Sequence, residues 1–389
     1  MEAVCPARFQ YRSEKITMRQ AIDSGLHILF LISTVTLSAL LALAGCSPGG
    51  DATEPGPWEA IKSSVDLEYD SGEYHPPFGQ PLSTLGWEDG IYVSRDGLDL
   101  YCIYAPGDLL SFTISGPNPD PTAFGPYLRG PTFGMDLVSN PVGASSWIHG
   151  DILYAHRAST AEAFTSWTLS GMARPVFSEG APVQLDKSGN TLGRLLFTSN
   201  DKDPTYDTDI WELTGCALNP AGIGAPLANF PHTDKMEDNP HIERIDVNTL
   251  VLMFDSNDYP GGLGSHDIWY SVSADNGASW SAPSNAATIN TGLQEHQPHL
   301  FHDGTDWYLY FSATHTDGKL AIFRCIQTTP NNWNSWGARE LVIGAGNSAG
   351  VGEPTLTSAG DISFVVVYEN PDGAPYNRYE ADPWFMRKR

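Results

Sequence analysis

Four short turns carry the side chains of this chain best suited to chemistry. They are Glu88-Asp89, Glu179, Glu237-Asp238 and Glu295, each opening an apolar run. Two carboxyls held about 5–9 Å apart, one protonated and one ionised, can cleave a glycosidic bond. Asp89, Asp238 and Glu295 are the candidate catalytic carboxyls on that basis. The stretch "EHQPHLFH" (295–302) is the densest cluster of titratable groups, and His241 and His299 each follow a proline in neighbouring segments. Imidazole serves as acid, base or metal ligand near neutral pH. Glu88, Glu179, Glu237, His241, His296 and His299 are therefore candidate ligand-binding residues. Two histidines with one or two carboxylates can hold a divalent cation. His296 and His299 would point to opposite faces of a regular strand, so joint ligation requires an irregular turn. A glutamate present in nearly every turn also suits a cap for that turn. Asp89 and Asp238, which differ between turns, are the more specific candidates.

These turns recur because the chain repeats. Phe197, Phe254, Phe311 and Tyr368 lie 57 residues apart, each ending an apolar run. Asp151, Asp209 and Asp267 are 58 apart, as are Pro182, Pro240 and Pro298, with Pro354 following after 56. A fixed period filled with short β-branched and aromatic runs means one sheet unit copied around an axis. The reading is an all-β protein, a β-propeller of five blades of about 58 residues, with six as the alternative. The repeats span about 85–172, 178–230, 236–288, 294–345 and 350–389. The first holds an insertion over 105–145; insertions of that length on a regular scaffold are often functional. A strand is permitted at 61–69, "IKSSVDLEY", and either that region or the C-terminal "YNRYEADPWFMRKR" is expected to close the ring. In propellers, equivalent turns converge at one end of the axis, which places the acidic turns around a shared funnel.

The formal charge is −25 over 389 residues. Such a surface repels nucleic acid and anionic lipid headgroups and suits cations, neutral glycans or solubility. Residues 26–44 are almost continuously apolar behind Arg8, Arg12, Lys15 and Arg19. They read as a leader, with Met18 as a second possible start and an uncleaved membrane anchor as the alternative. Residues 47–57, rich in Gly and Pro, read as a tether. The expected organisation is a leader over 1–45, a linker over 46–60 and the propeller over 61–389. Cys102, Cys216 and Cys325 sit in or beside apolar runs and read as small buried hydrophobes, although one disulfide is open to them.

Several motifs resemble known families. Leu43-Ala44-Gly45-Cys46 resembles the lipobox of bacterial lipoproteins, which implies cleavage before Cys46 and its lipidation; Ser47 accompanies outer-membrane sorting in that family. The segment 240–271, with "LVLMFDSND" and "HDIWYS", is similar to WD-like repeats of the TolB type, and "LLFTSND" and "TDIW" repeat the match. Ser273-Ala274-Asp275-Asn276-Gly277-Ala278-Ser279-Trp280 looks like the Asp-box of sialidases, a structural hairpin motif. An active sialidase also needs an arginine triad, and only Arg95 stands near the first repeat. Five-bladed glycosidases of the arabinanase and xylosidase type place acids from different blades in the axial funnel. Together these resemblances imply a lipoprotein, anchored at the bacterial outer membrane, that binds a glycan or cleaves it; a monomer is expected. The alternative is a non-catalytic platform for envelope proteins of the TolB type.

Overall fold

The computed structural model describes residues 57–84, 86–105, 108–111, 150–172, 177–203, 207–373 and 378–389. The leader, Cys46 and most of the 105–145 insertion lie outside the described residues. The protein is an all-β propeller. Its strands form antiparallel meanders, one per sequence repeat.

The first strands of the repeats are Trp87–Val93, Glu179–Ser188, Asp238–Arg244, Glu295–His302 and Gly350–Leu356. Each packs against the next, and the fifth packs against the first, so they form a closed ring. The second strands are Asp99–Ala105, Thr191–Asp203, Leu250–Ser256, Trp307–Thr314 and Ile362–Glu369. They carry the aromatic residues of the 57-residue period: Phe197, Phe254, Phe311 and Tyr368 are all buried. Stacked sheets leave neither face of such a strand in water, which is why Leu250–Ser256 is buried at every position. Each buried ring stabilises the seam by about 1.5–3 kcal/mol relative to exposure. The third strands are Asp151–His156, Asp207–Ala217, Asp267–Ser273, Leu320–Ile326 and Tyr379–Met386. Short fourth strands complete the first four meanders.

Ring closure uses both ends of the described chain. The C-terminal strand Tyr379–Met386 is the third strand of the last meander, and its Ala381 pairs in parallel with Trp87. Phe78–Gly79 adds the fourth strand on its outer edge. Glu68–Tyr69 extends the fourth meander through Ile343 and Gly344. The expected strand over 61–69 is thus confined to its last two residues. Its start is the end of a short helix, Trp58–Ser63, entered from Pro57, whose fixed φ suits a helix start.

The turn 273–280 has the contacts its residues suggest. Asp275 Oδ1 accepts the Ser279 N–H at 2.8 Å, Gly277 has φ +85°, and Trp280 is buried against Phe230. Cys102, Cys216 and Cys325 are free, buried thiols.

Candidate functional site

Every first strand is interrupted at the same place. The register shifts fall between Asp89 and Tyr92, Gly180 and Val183, Asp238 and His241, His296 and His299, and Gly352 and Thr355. Each shift contains one residue with positive φ: Gly90 (+55°), Ala181 (+44°), Asn239 (+48°), Gln297 (+55°) and Glu353 (+59°). Four of the five are not glycine, and left-handed backbone costs an ordinary L-residue about 1–2 kcal/mol. In four of the repeats the next residue is the periodic proline, which a bulge tolerates because its ladder bond is already missing. The repeating proline of the sequence is the mark of this bulge.

The five bulges line one small, solvent-open cavity, which takes three consecutive residues from each first strand. Counted from the positive-φ position, the preceding residues are Asp89, Gly180, Asp238, His296 and Gly352. Those two positions further on are Tyr92, Val183, His241, His299 and Thr355. The repeat supplies an identical backbone, and unequal side chains make the site. The chain leaves the first meander toward the insertion at Ala105, opposite Trp87, on the same edge as Asp89.

Four carboxyls cluster here: Glu353 lines the cavity, Asp89 and Asp238 precede lining residues Gly90 and Asn239, and Asp255 bonds the lining residues Asn239 and Gln297. Asp89 and Asp238 are partly exposed, whereas Glu353 and Asp255 are buried. Asp255, from a second strand, pairs directly opposite Asp238. Asp89 accepts the Trp87 indole N–H at 2.9 Å and shares a hydrogen bond with Glu353. Glu353 accepts the Ile91 N–H and the Gln297 amide, both at 2.8 Å. Asp255 Oδ2 accepts the Gln297 N–H at 2.8 Å and the Asn239 amide at 2.9 Å. Positive φ at Asn239, Gln297 and Glu353 is what turns these groups toward one another around the ring. Burial pushes Asp238 up to about 6, with the Asp89 charge adding to it. Burial, then the Asp238 charge, raises Asp255 well above the carboxylate range; burial, then Asp89, does the same for Glu353. Like charges this close disfavour one another's ionised forms.

The deeper level is histidine and arginine. His241 and His299 lie with ring centroids 4.1 Å apart. His299 Nε2 accepts the Leu356 N–H at 3.1 Å and lies 3.0 Å from Arg95 Nη1, so in the neutral ring the proton sits on Nδ1. Burial lowers both histidines, His299 further through His241 and Arg95. Arg95 also pairs with Glu243. Burial alone would raise Glu243, but Arg95 and His241 outweigh it and hold it at about 2. Arg95 comes from the turn after the first strand and fills the axis from the far end.

The repeated glutamates do something else. Glu88 Oε1 accepts the Thr84 N–H at 3.0 Å, Glu237 Oε1 that of Thr233 at 3.2 Å, and Glu295 Oε2 that of Thr291 at 2.6 Å. The donor is four residues upstream each time, so each glutamate closes the loop that leads into its own repeat. Glu179 is buried at the equivalent position. None of the four lines the cavity. Glu295, a candidate catalytic carboxyl, is fully buried and held by Thr291 and by Arg339 at 2.5 Å. The structure places it in a seam, and Glu353 and Asp255 take its place at the cavity. Of the ligand candidates, His241 and His299 line the cavity. His296 does not line it and faces His266 with centroids 5.7 Å apart; burial, then His266, lowers it to about 3. The irregular turn that joint use of His296 and His299 requires is present, as the bulge between them. Asp255 follows Phe254, where the second, fourth and fifth repeats carry Thr198, Ser312 and Glu369, so the sequence alone does not single it out.

No protein-family model matches this chain, and no curated protein sequence matches it. Solved structures do. The catalytic domain of the Coprinopsis cinerea GH62 α-L-arabinofuranosidase superposes with a TM-score of 0.52 at 12% identity, over 84% of this chain and 98% of that one. A GH62 hydrolase in complex with xylotriose follows at a TM-score of 0.48 and 9% identity, over 82% of this chain and 97% of that one. The endo-arabinase from Bacteroides thetaiotaomicron gives 0.44 at 12% identity, over 79% and 96%. At such identities the arabinofuranosidase match establishes the fold, the β-propeller of these glycoside hydrolases.

Proposed function

We propose that this chain is a five-bladed propeller that binds a glycan in its axial cavity and hydrolyses it with carboxyls from different blades. Each antiparallel meander is one blade on this reading. The observation that carries it is the carboxyl cluster beside the open cavity: Glu353 lines it, Asp89 bonds Glu353 and acts on Asp238, and Asp255 pairs opposite Asp238. Hydrolysis needs a proton donor and an ionised partner. Asp238, partly exposed and raised by burial, suits the donor. Asp89, oriented by the Trp87 indole, suits the base or nucleophile. Glu353 and Asp255, through their bonds to Ile91, Gln297 and Asn239, fix the bulges that aim these two. His241 and His299 replace a cation in one respect, as they keep the cavity floor polar without adding charge; whether a divalent ion joins them is read out by the chelator arm below.

The test is a panel of polysaccharides and aryl glycosides, begun with α-L-arabinofuranosides because a propeller of this fold carries that activity. Asp89→Asn and Asp238→Asn should each lower kcat by about 10²–10⁴-fold, with and without EDTA. A substrate turned over equally well by both variants overturns the assignment. The Glu88, Glu237 and Glu295 contacts with loop backbone are what a scaffold needs, and they favour the platform reading for those residues alone. Attachment at the outer membrane through Cys46 is part of the proposal, supported by the residues of 26–46. Cys46→Ser should move the protein from the membrane to the soluble fraction; unchanged fractionation refutes it.

A further inference from the structure

We propose that Asp209, His232 and Glu237 form a divalent-metal site, of the zinc or manganese type, in the seam between the second and third blades. It goes beyond the glycan reading and does not depend on it, since none of the three residues lines the axial cavity.

The three offer ligand atoms that all lie within 4.8 Å of one another. His232 Nδ1 is 2.7 Å from Glu237 Oε2 and 3.9 Å from Asp209 Oδ1. One imidazole and two carboxylates match the preferences of Zn²⁺ and Mn²⁺. The surroundings prepare them. His232 Nε2 lies 3.2 Å from the Leu227 carbonyl, so its proton belongs there and Nδ1 is left as the ligand atom. Leu227 is itself tied to the third strand by its N–H to Ile210 O at 2.9 Å, next to Asp209. Glu237 Oε1 is fixed by the Tyr259 hydroxyl at 2.6 Å and the Thr233 N–H, which leaves Oε2 turned to His232. Phe230 packs edge-on against the imidazole at 5.0 Å, and Trp280 backs Phe230. With metal bonds of about 2.0–2.2 Å, His232 and Glu237 need only part by a few tenths of an ångström.

Comparison with the other seams points the same way. The fourth repeat's glutamate, Glu295, meets the third-strand Asp267 of the preceding blade and is neutralised by Arg339. In the first repeat Glu88 lies beside the third-strand acids Glu380 and Asp382, which are neutralised by Lys62. At the seam of Asp209 and Glu237 a fixed cation is replaced by a histidine, the one basic side chain that also ligates metal.

The full chain, stripped with EDTA and dialysed, should bind one Zn²⁺ or Mn²⁺ in calorimetry and melt higher with the metal than without. Co²⁺ should give visible d–d absorption. His232→Ala should weaken binding at least about tenfold, and Tyr259→Phe, which keeps all three ligands, about 10–100-fold. Should His232→Ala fail to fold, Asp209→Asn, which keeps the His232–Glu237 pair, serves as the second variant with the same expected loss. His302→Ala, at an exposed histidine, should change nothing. Absence of binding, equal affinity in His232→Ala or Asp209→Asn, or loss only in His302→Ala overturns the site and leaves a plain ion pair.

Discussion

Glu353 shows how a single residue trades stability for chemistry. Its folded pKa lies well above the ordinary glutamate value, through burial and then the nearby Asp89. Below about pH 4.3 both folded and unfolded chains hold the proton. Above it the unfolded chain releases the proton while the folded chain keeps it, so stability falls with rising pH until the folded group ionises. Glu353→Gln stays neutral throughout. Its melting temperature relative to the parent should therefore climb between pH 4 and pH 7, whatever constant offset the altered Gln297 contact brings. A difference that stays flat across that range would show Glu353 to be an ordinary carboxylate. His299 behaves differently. With Leu356 N–H and Arg95 both resting on its Nε2, truncation leaves buried donors without an acceptor, at about 1–3 kcal/mol.

At the scale of the element, the bulge is the device that matters. A regular strand would send residues at consecutive positions to opposite faces. The extra residue with positive φ brings Asn239 and His241, or Gln297 and His299, to one cavity. The conformational cost is borne by side chains that then bond across the ring, as Gln297 does with Glu353 and Ser312. Ala181 bears the same backbone with no side chain to bond. Ala181→Gly should therefore stabilise the fold by a few tenths to about 1 kcal/mol, measured by urea denaturation. A loss of stability would mean that the bulge is held by something other than tolerated strain.

For the whole molecule, closure depends on the segment ahead of the first repeat. Phe78–Gly79 covers the edge of the last meander, and Lys62 from the short helix neutralises Glu380 and Asp382 beside Glu88. The chain ends are also stitched by backbone bonds, His75 N–H to Arg387 O and Arg389 N–H to Glu73 O, both 2.9 Å. A chain that starts at residue 86 should lose this seam, melt at least several degrees lower and self-associate through the bared strand edge. Calorimetry and light scattering against the chain starting at 46 check it; equal melting temperatures would put closure elsewhere.

The period of 57–58 residues fixed the architecture by itself, because a β-blade must bury an aromatic at the same height each time it is copied. The prolines at 182, 240, 298 and 354 marked the axial turns, and Asp89, Asp238, His241 and His299 were readable as the unequal residues around them. Glu295 was misleading because its type and position match a catalytic acid, while its surroundings, Thr291 and Arg339, are visible only after folding. Glu353 and Asp255 entered the site through backbone sign and cross-strand register, which no residue announces locally. Which carboxyl faces the cavity and which one holds a loop was decided by φ at a single position in each strand. That angle is set by the closed ring and not by the few residues around it.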